Sequence, residues 1–217
     1  HIYANSINST MKYPLIALVI SGGHTEIIYM KDEYSFEKLG GTLDDAVGEC
    51  YDKVARVIGV GYPGGPVIDK MATIGEHEYN LPIPLNDETY NFSFSGLKSA
   101  VINLVHNKAQ RGEEVNKENL AKSFQDVVVD IITRKTMKAL KEKNVNYLIV
   151  AGGVAANKGI RNKLEELCKK ENMECHCPDF KYCTDNATMI GAAAFVAYKK
   201  GIKSDTKLNA KPGETLV

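Results

Sequence analysis

Two pairs of adjacent glycines, each placed directly after a short apolar run, constrain this chain most strongly. The pairs are Gly22-Gly23 and Gly152-Gly153, and the runs before them are typical of β-strands. Glycine pairs weaken regular structure because they lose much backbone entropy and bury no side chain. A loop keeps them where backbone must lie very close to a ligand, often a phosphate group. Two such loops at strand ends predict a site for a nucleotide or another phosphorylated ligand.

The composition excludes some functions. Of the 217 residues, 27 are Lys or Arg and 27 are Asp or Glu, so the formal net charge is zero and gives no general attraction to nucleic acid. No apolar run approaches the roughly 18 residues that span a bilayer, and the first residues do not resemble a secretory signal. Five cysteines, an odd number, favour reduced thiols in a cytoplasmic protein without membrane contact.

Hydrophobic periodicity and turn residues predict an α/β lobe with a mixed sheet flanked by helices. The first two predicted strands are joined by a glycine turn, which indicates a hairpin. Asn116 is predicted to cap a long helix. The predicted strands are residues 15–20, 26–30, 34–39, 147–150 and 174–177, and the predicted helices are residues 43–58, one from about 66, 96–107, 116–143, 157–169 and 184–199.

Three motifs match known signatures only in part. Residues 59–64 spell G-x-G-x-x-G, but they follow a predicted helix and contain Pro63, whereas the dinucleotide fingerprint follows a strand and begins a helix. Residues 152–158 lack the Gly-Lys-Ser/Thr ending of a P-loop. His77-Glu lacks the second histidine of a zinc protease motif, because position 81 is Leu.

The residues around the glycine pairs add polar groups. The Ser21 and Thr25 hydroxyls can donate to phosphate or ribose, although a plain tight turn is the alternative. Residues 152–158 place a predicted helix directly after glycines, so N–H groups of its first turn can face a ligand. A further pair, Gly40-Gly41, has only a structural role, at the start of an acidic helix.

Several carboxylates are candidate ligand groups. Asp45, Glu49 and Asp52 fall at i, i+4 and i+7, which predicts one helix face. Such a face binds cations, ribose hydroxyls or a metal, or it is a solvated acidic face. Asp69 falls in the first turns of the next helix, where its carboxylate can accept a hydrogen bond from a sugar hydroxyl.

Two segments are candidate metal sites. Cys175 and Cys177, with another cysteine six residues later, suit a soft metal, but strand alternation turns His176 to the opposite face. Buried cysteines without a metal are therefore the alternative. Thr184 or Asp185 can cap the last helix, and Asp185 can instead be a metal ligand near the strand ends.

Together these segments resemble the tRNA N6-adenosine threonylcarbamoyltransferase family, formerly named O-sialoglycoprotein endopeptidase or glycoprotease. The resemblance implies an actin-like, sugar-kinase-like ATPase fold. It also implies transfer of a threonylcarbamoyl group from threonylcarbamoyl-AMP to the exocyclic amine of adenosine 37 in tRNA. The matching segments are residues 21–25 (Ser-Gly-Gly-His-Thr), 44–53 (Asp-Asp-Ala-Val-Gly-Glu-Cys-Tyr-Asp-Lys), 62–66 (Tyr-Pro-Gly-Gly-Pro), 92–98 (Phe-Ser-Phe-Ser-Gly-Leu-Lys), 152–157 (Gly-Gly-Val-Ala-Ala-Asn) and 182–186 (Tyr-Cys-Thr-Asp-Asn).

The resemblance also implies functional residues. It implies one divalent metal ion, iron or zinc, bound by Asp185 and by His1, which matches the second histidine of a His-x-x-x-His pair. The first histidine of that pair is missing from the sequence, so we expect a weakly held metal and little or no activity. The residues implied to hold the adenylate are Ile20, Ser21, Gly22, Gly23, His24, Asp52, Gly65, Asp69 and Asn157.

The resemblance predicts the domain organisation and partners as well. Residues 1–14 match the end of an N-terminal lobe or an interlobe segment, residues 15–202 a C-terminal actin-like lobe, and residues 203–217 a tail. The implied partners are tRNA, a paralogous dimerisation partner and a small ATPase of a bacterial modification complex. Three alternatives stay open: a small-molecule kinase on the same fold, a metallo-glycoprotease, and a non-catalytic lobe that binds nucleotides or partners.

Overall fold

A computed structural model describes residues 1–209, and a five-stranded mixed sheet forms its centre in the order β3-β2-β1-β4-β5. Strand β1 pairs antiparallel with β2 and parallel with β4, and β5 continues the parallel side. The α/β class with a mixed sheet is therefore confirmed. The strands are β1 (Leu15–Ile20), β2 (Thr25–Met30), β3 (Glu37–Gly41), β4 (Tyr147–Ala151) and β5 (Glu174–His176).

Helices cover both faces of the sheet. The central strands β1 and β4 are apolar almost throughout, as expected for strands buried on both faces. The larger core packs five helices, α1 to α5, on one face, and a smaller core packs α6 and a 3-10 turn at Ile2–Ser6 against the other. The helices are α1 (Val47–Ile58), α2 (Gly64–Ala72), α3 (Ser95–Gln110), α4 (Lys117–Glu142), α5 (Lys158–Lys170) and α6 (Ala187–Lys199).

The predicted β1–β2 hairpin is confirmed. Strand β3 begins at Glu37, three residues later than predicted. It contains Gly40-Gly41, so this pair does not begin a helix. A Cβ on Gly40 would lie 2.5 Å from the backbone carbon of Tyr90. Gly40 is thus required by packing, because the chain before Phe92 crosses this edge of the sheet, where the Phe92 N–H donates to the Gly41 carbonyl at 3.0 Å.

Most helix boundaries agree with the sequence, and the exceptions have local causes. Asn116 caps α4 as predicted, since its side chain accepts from the Asn119 N–H at 2.9 Å. Helix α1 begins at Val47 rather than near residue 43, because the preceding segment forms a turn. The cap of α6 was predicted wrongly: it is Asn186, whose side chain accepts from the Met189 N–H at 2.9 Å.

The remaining predictions concern the cysteines, membrane helices and the C-terminal tail. All five cysteines are free thiols. Within residues 1–209 no group of three His, Cys, Asp or Glu side chains could hold a metal, so the cysteine-rich metal site is not supported. No helix in the same range is both long and apolar enough to cross a membrane. The predicted tail, residues 203–217, lies outside the described residues from position 210 onward.

The first turn of α2 offers a matched pair of substitutions. A Cβ on Gly64 would lie 2.6 Å from the Tyr51 carbonyl oxygen and 2.8 Å from the Asp52 Cα, whereas a Cβ on Gly65 meets no atom within 4 Å. We expect Gly64→Ala to lower the free energy of unfolding by about 1–3 kcal/mol, as overpacking does. Gly65→Ala should be neutral or slightly stabilising. Urea unfolding measures both, and equal effects would contradict this packing.

Candidate functional site

A cleft of about 550 Å³ lies where the carboxyl ends of β1 and β4 meet the first turns of α2 and α5. Its wall contains residues from the β1–β2 turn, α1, α2 and the segment after β4. Five of the residues implied to hold an adenylate line it together: Gly22, Asp52, Gly65, Asp69 and Asn157. The sequence separates these residues by up to 135 positions, and the fold brings them to one place.

Some glycines near this cleft are required by packing alone. A Cβ on Gly48 would lie 2.7 Å from the Ser21 carbonyl oxygen, and a Cβ on Gly152 would lie 2.4 Å from that of Ile20. Gly152 also has a φ of 93°, in the region that favours glycine. These glycines allow the hairpin to lie against the first turn of α1 and against the segment after β4.

Other glycines have no such requirement. Gly22, Gly23, Gly65 and Gly153 have no atom within 4 Å of a Cβ, and none has a left-handed φ. Three of these four line the cleft, and Gly23 is the exception. Because the fold itself tolerates a side chain at these positions, the open space beside their backbone is the feature that suits a closely bound ligand.

The β1–β2 turn is organised by Ser21. Its N–H donates to the His24 carbonyl at 2.8 Å, and its Oγ accepts from the N–H groups of Gly23 and His24 at 3.2 and 3.0 Å. The Ser21 hydroxyl proton stays available to a ligand, and the His24 side chain is exposed. Thr25 was predicted wrongly as a ligand donor: it is fully buried, and its Oγ1 accepts from the Val47 N–H at 2.9 Å.

The first turn of α5 is occupied by protein side chains. The Asp69 carboxylate accepts from the N–H groups of Lys158 and Gly159 at 3.0 and 3.2 Å. The Asn157 Oδ1 accepts from the Ile160 N–H at 2.9 Å. The expectation that these N–H groups face a ligand is therefore wrong, because a buried carboxylate and an amide have taken the positions that an anion would occupy.

The predicted acidic face does not form. Asp45 precedes α1, and its two oxygens pair with Lys53 at 2.8 Å and Lys98 at 2.7 Å. Glu49 also pairs with Lys53, at 2.8 Å. Asp52 alone lines the cleft, where its Oδ1 accepts from the Gly64 N–H at 2.7 Å. The i, i+4, i+7 spacing predicted a shared helix face wrongly, because α1 begins two residues after Asp45.

Asp44 connects two of the motifs, which sequence reasoning missed. Its carboxylate accepts from the hydroxyls of Ser93 and Ser95 at 2.5 and 2.7 Å and from the N–H groups of Phe94 and Ser95 at 2.8 and 3.2 Å. Burial raises the pKa of Asp44, but these hydrogen bonds outweigh it and the pKa lies below its usual value. Two serines flanking a phenylalanine before a helix were the available signal for a capping partner.

The two implied metal ligands lie together. The His1 Nε2 is 3.2 Å from the Asp185 Oδ1, and the neighbouring Thr184 lines the cleft. Imidazole and carboxylate suit zinc or iron(II), so the donor chemistry fits the implied ion. The fit is incomplete, because His1 Nδ1 is buried without a partner, and no third ligand joins the pair within the part of the chain that the structure describes.

Two solved structures share the fold of this chain. Full-length HypF in its phosphate- and nucleotide-bound form matches 94% of this chain and 42% of its own, with a TM-score of 0.70 and 15% sequence identity. HypF from T. kodakarensis matches 93% of this chain and 37% of its own, with a TM-score of 0.61 and 15% identity. The predicted fold class, an actin-like fold with a mixed sheet flanked by helices, is confirmed by this shared architecture.

The sequence comparisons define the family. The tRNA N6-adenosine threonylcarbamoyltransferase model matches residues 1–192, and the chain belongs to this family of transferases. Proteins of that name from Staphylococcus saprophyticus and Staphylococcus carnosus are 54% and 53% identical to it over 210 residues, which is 96% of this chain. The chain spans 61% of the length of these relatives.

The Asp44 contacts generate a pH-dependent prediction. A folded pKa below the unfolded value of about 3.9 stabilises the protein fully above that value, and this stability is lost as pH falls through the folded pKa. We expect Asp44→Ala to cost about 0.5–2 kcal/mol at pH 7, as loss of a helix cap does, and less at pH 2 than at pH 7. Urea unfolding at both pH values measures this, with Asp205→Ala as the control. The assignment would be contradicted if the difference in free energy of unfolding between Asp44→Ala and the unchanged chain were the same at both pH values.

Proposed function

We propose that the cleft binds the nucleotide part of threonylcarbamoyl-AMP, and that the chain is part of an enzyme that transfers the threonylcarbamoyl group to the exocyclic amine of adenosine 37 in tRNA. Family membership supports the reaction. The observation that carries the site is the set of three glycines, Gly22, Gly65 and Gly153, whose backbones border open space in one cleft.

The side chains of the cleft divide into those that can contact a ligand and those that shape the wall. A carboxylate has about four acceptor positions, and Asp69 uses three of them within the protein, so one stays available to a ribose hydroxyl. Asn157 uses both Nδ2 hydrogens on Tyr51 and Gln125, so it has no donor left and shapes the wall. Ile20 is fully buried and acts through its backbone.

Group transfer from an adenylate needs no protein nucleophile. An adenylate is a mixed anhydride: the amine nitrogen attacks the carbamoyl carbon, the bond from that carbon to the phosphate oxygen breaks, AMP leaves and the amine loses a proton. Burial raises the pKa of the Cys50 thiol to about 12, so this residue stays protonated and unreactive. The proposed role of the protein is to hold the adenylate and to exclude competing water.

His1 and Asp185 are the proposed ligands of an iron or zinc ion in the whole protein. A bound ion would stabilise the negative charge that develops on the leaving group and on the carbamoyl oxygen. Two protein ligands hold such an ion weakly, and the chain by itself would then serve as a nucleotide-binding lobe without turnover. This second candidate is favoured because residues 1–209 contain no third metal ligand beside His1 and Asp185.

The proposed partners are the tRNA, a paralogous dimerisation partner and a small ATPase. Because the net charge is zero, a local patch or another part of the protein must attract the tRNA. Among the described residues nothing identifies the contact surface for either protein partner. The domain division at residues 1–14, 15–202 and 203–217 stands as part of the same proposal.

Adding single methyl groups tests the cleft. Gly65→Ala and Gly153→Ala place a Cβ in the open space, and we expect each to weaken AMP binding by about tenfold through lost close contact. Gly191→Ala is the matched control, since its Cβ also meets open space but lies outside the cleft lining. Isothermal titration with AMP measures binding. Equal binding by all three variants and the unchanged chain would place the nucleotide elsewhere.

A turnover assay tests whether this chain alone catalyses the transfer or only binds the nucleotide. We expect the 217-residue chain alone to form no modified adenosine from threonylcarbamoyl-AMP and tRNA, with Zn²⁺ or Fe²⁺ present, because its described residues supply only two metal ligands. Nucleoside analysis of the digested tRNA measures the product, and a relative of full length is the positive control. Product formed by the chain alone would show that two ligands suffice.

A further inference from the structure

A buried glutamine on α4 connects the two polar side chains that cap α5. The Gln125 Nε2 donates to the Asp69 Oδ1 at 2.8 Å. Its Oε1 accepts from the Asn157 Nδ2 at 3.1 Å and from the Tyr51 hydroxyl at 3.1 Å. Gln125 is 6% exposed, Tyr51 is fully buried, and Asp69 and Asn157 are also buried. The four side chains come from three helices, α1, α2 and α4, and from the segment just before α5.

The donors and acceptors of this network allow only one orientation of the Gln125 amide. The Asn157 Nδ2 also donates to the Tyr51 hydroxyl oxygen, at 3.3 Å, so Tyr51 both donates and accepts. Reversing the Gln125 amide would direct an oxygen at the Asp69 carboxylate and an N–H₂ group at the Tyr51 hydroxyl. The oxygen would then face the carboxylate without a proton between them, and the N–H₂ group would face the Asn157 Nδ2 hydrogens, donor against donor. The network therefore fixes the orientation of the amide.

A steric observation supports the same position for Gln125. A Cβ on Gly159 would lie 2.5 Å from the Gln125 Nε2 and 3.2 Å from its Cδ. Glycine in the first turns of a helix costs stability relative to alanine, because of its backbone entropy. The chain carries that cost at Gly159, where the side chain of Gln125 needs the space.

These hydrogen bonds fix the orientation of the Asp69 carboxylate. Its Oδ1 accepts from Gln125 and from the Gly159 N–H, and its Oδ2 accepts from the Lys158 N–H. The two backbone donors belong to one helix turn. By themselves they would leave the carboxylate free to rotate relative to that turn. The Gln125 amide approaches from α4 and removes this freedom. Oδ2 is the oxygen left with an acceptor position, and Asp69 lines the cleft.

We propose that Gln125 is a positioning residue, which with Tyr51 holds Asp69 so that its free acceptor position meets a ribose hydroxyl of the bound nucleotide. This inference rests on the proposed function, because it takes the cleft as the nucleotide site. Gln125 acts through Asp69 and does not touch the nucleotide. Its loss should therefore reduce discrimination by the sugar more than it reduces binding of the base and phosphate.

A sugar-selectivity measurement tests the proposal. Titration of the 217-residue chain with AMP and with 2′,3′-dideoxy-AMP gives the ratio of their dissociation constants, which we expect to be about tenfold or more, as one hydrogen bond to a carboxylate provides. Asp69→Asn and Gln125→Leu should each lower the ratio to about threefold or less. Gln110→Leu, at the exposed end of α3, should leave it unchanged.

The outcomes separate this inference from the proposed function. If Gln125→Leu keeps the full ratio while Asp69→Asn loses it, Gln125 does not position the carboxylate and the inference fails, although the nucleotide site stands. If the unchanged chain binds neither nucleotide, the proposed site fails and the assignment to ribose fails with it. A melting curve for each variant shows whether it is folded.

A ligand-independent measurement tests the positioning step itself. Amide hydrogen exchange reports the protection of the Lys158 and Gly159 N–H groups, which donate to Asp69. We expect Gln125→Leu to accelerate their exchange by about tenfold relative to Gln110→Leu, with little change at the end of the same helix. Unchanged protection at both amides would overturn the proposal whatever the nucleotide measurements give.

Discussion

The helices near the cleft begin at side chains supplied by other parts of the chain. Thr25 on β2 accepts from the first N–H of α1, and Asp69 on α2 accepts from the first two N–H groups of α5. Asp44 accepts from the N–H of Ser95, the first residue of α3, and from that of Phe94 just before it. Unsatisfied N–H groups at a helix start are costly when buried, and here each is satisfied only if two distant segments are correctly placed. The position of one helix therefore fixes the position of the next.

This arrangement explains why the glycines of the chain serve two purposes. Gly48, Gly64 and Gly152 stand where segments meet so closely that a Cβ would collide with backbone. They allow the capping contacts, and the fold needs them. Gly22 and Gly65 border the space that remains once those contacts have formed. The first kind builds the cleft, and the second keeps it empty of side chains, so a nucleotide of the proposed kind can approach the backbone.

The sequence predicted the sheet and the helices well because their apolar patterns are local. The β1–β2 hairpin and the Asn116 cap follow from short-range rules, and the structure contains both. The site was predicted less completely, because its hydrogen bonds join residues far apart. Thr25 and Asp69 carry polar groups that suit a ligand, and only the fold reveals that Thr25 caps a helix instead. Gln125 gave no signal, since a single glutamine on a helix resembles any solvated side chain.

The two cores of the structure support different parts of the proposed chemistry. The larger core packs α1, α2, α4 and α5 together and so shapes the cleft. The smaller core joins Ile2 and Tyr3 to Val196 on α6, and this contact brings His1 within 3.2 Å of Asp185. A change in the smaller core would therefore move the proposed metal ligands relative to each other and leave the part of the cleft wall formed by α1, α2 and α5 intact. The proposed nucleotide wall and the proposed metal ligands therefore depend on cores that lie on opposite faces of one sheet, although Thr184, next to Asp185, also lines the cleft.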